Sequence, residues 1–117
     1  MLRFESTVLM LTLYMSLSSA CSMVHTVATV PSPDDTWLSI VREGKAAGMV
    51  NTSVTLLKKG SASDSKMVFI VAASRDQVKV KWSDSTRLTI SCYRCNRGTI
   101  GRQELQWEGV AISYDWK

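Results

Sequence analysis

Apolar and polar residues take turns from Gln77 to Tyr93. In QVKVKW (77–82), Val78, Val80 and Trp82 share one side and Gln77, Lys79 and Lys81 the other; in RLTISCY (87–93), Leu88, Ile90 and Cys92 repeat the alternation. A period of two is that of a half-buried antiparallel strand. SDST (83–86) is turn chemistry, so residues 77–93 read as a β-hairpin. The same period returns at the end of the chain, where Val110, Ile112, Tyr114 and Trp116 fall on one face of GVAISYDW (109–116).

Three further stretches read as strands on composition: WLSIV (37–41), the β-branched VNTSVTLLK (50–58), and the continuous apolar run KMVFIVAA (66–73), which suits a central strand buried on both faces. GKAAG (44–48) and KGSASDS (59–65) read as connectors, and the polar, glycine-bearing 96–107 as an irregular loop or a short twisted strand. No segment holds a helical period over three turns. The expectation is an all-β fold of about six strands, arranged as a small antiparallel sandwich or a strongly curved meander sheet.

The first twenty residues break this pattern. MLRFES carries Arg3 and Glu5, TVLMLTLYMSL (7–17) is uncharged and mostly apolar, and SSA (18–20) is small, which is the layout of a secretory signal peptide. The organisation expected is a signal peptide or signal anchor at 1–20, a tether at 21–35 in which Pro31 and Pro33 bar a regular element, and a β-domain at 36–117. LSSAC (17–21) resembles the lipobox of bacterial lipoproteins, in which small residues precede a cysteine that is acylated; Ser18 departs from the aliphatic residue usual there. The resemblance implies lipidation at Cys21. Ordinary cleavage after Ala20 and an uncut anchor running from Thr7 to Val30 are the competing readings. All three place the remainder on the non-cytoplasmic side of a membrane.

Charge and cysteines add two candidate constellations. The chain has a net charge of +4 and three cysteines. With Cys21 set aside, Cys92-Tyr-Arg-Cys95 is a CxxC pair. A thioredoxin-like use requires a helix N-terminus, and zinc requires two more ligands where the sole histidine is His25. Parity favours a buried Cys92 beside an incidental Cys95; a structural disulfide, which needs a turn at Tyr93–Arg94, is the second reading, and redox or metal work the third. The basic residues Lys79, Lys81, Arg87, Arg94, Arg97 and Arg102 form a candidate anion-binding patch, against the plainer reading of a solvated sheet face. Trp82 has core parity; Trp37, Trp107 and Trp116 complete an unusual tryptophan content for this length.

SPDDTW (32–37) is similar to the SPDG-x-W opening of many exported β proteins. Together with NTSVTLL, MVFIV, VKVKWSDSTRLTIS and WEGVAISY it resembles small bacterial envelope lipoproteins of the domain-of-unknown-function kind, over roughly 32–115. That resemblance implies fold and location, with no catalytic signature. No cofactor, no metal and no nucleic-acid partner are expected. The function expected is a non-catalytic binding or structural module of the cell envelope, held to the membrane by a lipid or an N-terminal helix, with an anionic envelope polymer or a protein as partner. A thiol-redox protein and a signal-anchored accessory subunit of an envelope complex are the alternatives.

Overall fold

The computed structural model describes residues 23–46, 48–61 and 63–117. The expected signal segment, the expected cleavage after Ala20 and Cys21 lie outside the described residues. Within them the chain forms nine strands: β1 Met23–Pro31, β2 Trp37–Ala46, β3 Met49–Lys58, β4 Ser65–Val71, β5 Val78–Asp84, β6 Arg87–Cys92, β7 Ile100–Gln103, β8 Gln106–Trp107 and β9 Val110–Trp116. Short 3-10 turns at Arg75–Gln77 and Arg97–Thr99 precede β5 and β7. The strands make two sheets, β1-β2-β3-β4-β7 and β5-β6-β9-β8.

The β5–β6 hairpin pairs Val78 with Cys92, Val80 with Ile90 and Trp82 with Leu88. Its inward row meets Val54, Leu56, Phe69 and Val71 of the larger sheet in one shared core. Leu56, Phe69, Leu88 and Ile90 are fully buried. At roughly 1.5–3 kcal/mol for each such side chain, this row is the main source of stability. Trp82 is buried and donates its indole N–H to the Val30 carbonyl at 3.0 Å, which satisfies the polar handle of an otherwise apolar side chain.

Four expectations need correction. The strands number nine, not about six. The expected tether is structured from Met23 on: β1 pairs with β2 from Met23–Lys45 to Pro31–Leu38, around an irregularity between Thr26 and Ala28. An edge strand has one paired side, so most of β1 stays exposed and shows no alternation. Pro31 ends it, where no further amide is needed. The connector expected at 44–48 shrinks to the turn at Gly48, because β2 runs on to Ala46. Lastly, the sheets are not wholly antiparallel: β9 lies parallel to β6 in a continuous register from Arg87–Ala111 to Cys92–Trp116.

β4 is buried at Val68, Phe69 and Val71 but not on both faces as expected, since Met67 is exposed and Ile70 half-buried. Its register against β3 slips between Val54 and Thr55, leaving Val68 unpaired there. The Val68 carbonyl instead accepts the Glu104 amide at 2.8 Å and lies 3.4 Å from the Tyr114 hydroxyl. The slip thus ties the larger sheet to β9 of the smaller one.

Candidate functional site

β7 is the outer strand of the larger sheet, and among the described residues β9 has no strand partner on its β8 side beyond Ile112, whose amide donates to the Leu105 carbonyl at 2.9 Å. Between them the sandwich is open. The opening is a groove of about 370 Å³ lined by Arg97, Ile100, Gly101, Arg102, Gln103 and Trp116. Trp116 continues the inward row of β9, which carries its ring to the mouth of the core. There it stacks on Tyr114 with centroids 5.8 Å apart and packs against Phe69 at 6.1 Å. Arg97, on the turn before β7, sets its guanidinium 5.1 Å from the centre of the Trp116 ring. A cation over an aromatic face is held by the ring quadrupole while its N–H edges stay free to donate. Arg102 stands further along β7, half-exposed, 4.0 Å from Glu104. The floor is close-packed: a Cβ at Gly101 would meet Ile70 Cγ2 at 3.1 Å.

The Tyr114 hydroxyl donates to the Glu104 carbonyl at 2.6 Å. Burial, with a smaller contribution from the Glu104 charge, pushes its pKa well above the usual phenol value. It stays protonated at any physiological pH and serves as a fixed strut beneath Trp116.

The six residues of the expected basic patch are not brought together. Arg97 and Arg102 flank the groove. Arg94 stands in the turn after β6 at φ 55°, with its guanidinium over the Tyr93 ring at 5.2 Å. Lys79 and Lys81 face outward from β5, in register with Ser91 and Thr89. Arg87 is at the opposite end of β6, paired with Asp84 at 3.3 Å. A second, somewhat larger depression of about 420 Å³ is lined by Asp76, Gln77, Lys79, Ser91, Tyr93 and Lys117.

Cys92 and Cys95 are joined by a disulfide, with Cα atoms 5.6 Å apart. The turn that a bridge requires is present at Tyr93–Arg94, where the left-handed Arg94 reverses the chain. Cys92 itself is buried, as its parity requires.

At the far end of the sandwich the SPDDTW stretch is a compact turn. Ser32 is buried and donates to Asp34 Oδ1 at 2.9 Å, and its own Oγ accepts the Trp37 amide at 3.0 Å. Asp34 Oδ1 also accepts the Thr36 amide. That amide, more than the Thr36 and Ser32 side chains, draws the Asp34 pKa down to about 2. Asp35 takes φ 64°, the conformation for which glycine stands in the resembling SPDG motif. Both acidic residues thus shape a turn. Comparison of the chain with protein-family models, with curated proteins and with solved structures finds no match.

Proposed function

We propose that the chain is an exported, membrane-tethered β-sandwich that acts without catalysis, as a module that binds an anionic group in the envelope. Arg97 and Arg102, which line the open-edge groove together with Trp116, carry the binding half of this reading. Two always-charged planar donors beside an indole suit a phosphate or carboxylate attached to a larger, partly apolar body. The N-terminal run 7–20 and Cys21 carry the tethering half, on sequence alone. The bridged, buried Cys92 gives no support to a redox use.

Titration of the full chain with inorganic polyphosphate, read by tryptophan fluorescence, tests the binding half. Arg97→Ala combined with Arg102→Ala should weaken binding at least tenfold. Equal affinity in the variant would remove the groove from the reading. Cys21→Ser should release the protein from the membrane fraction or block its processing; normal cleavage with full retention would sink lipidation.

A further inference from the structure

The described chain starts at one end of the sandwich. Met23 pairs with Lys45, and Lys45 with Val50, so the β2–β3 turn stands beside the start of β1. Glu43, two residues before Lys45, accepts the Arg75 amide at 2.8 Å. Tyr93 donates its amide to Gln77, and Arg94 to Lys117. Met23, the β2–β3 turn, residues 75–77, the disulfide turn and Arg97 therefore share one end, here called proximal.

Two properties single this end out. Six large apolar side chains are exposed among the described residues, and four of them, Met23, Val24, Met49 and Tyr93, are here. Lys45, Arg75, Arg94, Arg97 and Lys117 are also here, against Glu43, Asp76 and Asp115; Glu43 is engaged by the Arg75 amide, and Asp115 lies 3.6 Å from Lys117. Exposed methionine and tyrosine set among basic residues is the composition of a surface that enters the headgroup layer of an anionic bilayer. The chain supplies the occupant. Leading into Met23 is the apolar stretch 7–20, followed by Cys21, two residues ahead of β1. With β1 starting at Met23, at most a few residues separate an anchor from the folded domain, too few to hold it clear of the surface.

We propose that the proximal end lies directly on the bilayer that holds the N-terminal segment, with Met23, Val24 and Met49 in the headgroup–acyl boundary and Lys45, Arg94 and Arg97 over anionic phosphates. This rests on the tethering half of the function proposed above and names the source of the anionic group: the lipid surface itself. Arg97 then stands at the contact, and the groove behind it opens toward the headgroups.

Methionine oxidation supplies the test, because Met67 on β4 is an internal reference. Met67 is 39% exposed, less than Met23 at 53% and Met49 at 56%. The full chain is reconstituted in vesicles of phosphatidylcholine with phosphatidylglycerol and treated with chloramine-T, and each methionine is read by mass spectrometry. Docking inverts the order of exposure: Met67 oxidises several-fold faster than Met23 and Met49. Lys45→Glu with Arg97→Glu, or vesicles of phosphatidylcholine alone, shrinks that difference. A vesicle-bound chain whose Met23 and Met49 oxidise at least as fast as Met67 overturns the docking and leaves the tether standing. A chain that does not partition to vesicles overturns both. Protection that needs no vesicles and grows with protein concentration assigns the patch to contact between copies and also overturns the docking.

Discussion

The two ends of the sandwich close the same core by different means. At the distal end, side chains cap the backbone: Asp34 takes the Thr36 amide, Asp84 takes the Thr86 amide at 2.9 Å, and the Asp34 amide donates to Ser85 Oγ at 3.1 Å, joining the loops of the two sheets. Asp34, Asp35, Asp64, Asp84 and Glu108 outnumber Lys58, Lys59 and Arg87 there. At the proximal end both kinds of bond close the turns: Glu43 takes the Arg75 amide at 2.8 Å and Asn96 the Gly98 amide at 2.9 Å, beside bonds between backbones. Tyr93 donates to Gln77, Arg94 to Lys117, and Lys117 to Cys92, with the disulfide closing the turn. The distal carboxylates that hold amides are fixed, and that end is acidic. At the proximal end Tyr93, Arg94 and Lys117 face outward. The contrast leaves one end acidic and the other basic with exposed apolar side chains.

The largest break in this comparison is made from the distal side. Trp82→Ala removes a buried indole and one of two side-chain donors to the Val30 carbonyl, leaving the Ser39 hydroxyl, and should lower stability by about 3–5 kcal/mol in urea unfolding. A loss under about 1 kcal/mol would mean that the distal end is not sealed by Trp82. Next comes the proximal bridge. Cys92→Ala with Cys95→Ala should cost about 2 kcal/mol or less, because the closed loop is so short. The native protein should take up a thiol reagent only after reduction, and labelling before reduction would show an unbridged turn.

The smallest effect is a pH dependence confined to the distal end. The Asp34 pKa is held at about 2, and the Thr86 amide lowers that of Asp84 as well. An unperturbed aspartate titrates near 3.9, about two units higher than Asp34. A depressed folded pKa means that the stabilisation is complete above about pH 4 and is lost as pH falls through the folded value near 2. Asp34→Asn should flatten the acid limb of the urea midpoint measured from pH 5 to pH 2. An unchanged acid limb in Asp34→Asn would remove Asp34 as its source.

The hairpin of β5 and β6 was legible because both strands bury one face only, and alternation survives in the letters. Trp82 followed from the same parity. β1 was not legible: an edge strand with most residues exposed has no burial pattern to print, and its threonines and prolines suggest a tether equally well. β7 and β8 are short, polar and edge-lying, so their pairing is decided by the sheets they join. The groove was hidden for another reason. Arg97 and Trp116 belong to different layers and are far apart in the chain, and only the parallel placement of β9 beside β6 brings them within 5.1 Å. In sequence, Arg97 and Arg102 were grouped with Lys79, Lys81 and Arg87 by sign of charge; the fold sorts them by end.

The parallel pairing of β9 with β6 also sets an order of events. A hairpin such as β5–β6 closes on itself over a few residues, whereas β9 joins a strand some two dozen positions upstream after the chain has left the smaller sheet, added β7 to the larger one and returned. Such non-local pairing comes late, since its loop-closure entropy must be met before the contacts form. Until Val110–Trp116 is in place, Phe69 lacks Tyr114 and Trp116, the inner edge of β6 is unpaired, and Leu88 and Ile90 stand open at the side of the hairpin. The last strand therefore acts as a latch: its insertion pairs the open edge of β6 and brings Tyr114 and Trp116 onto Phe69.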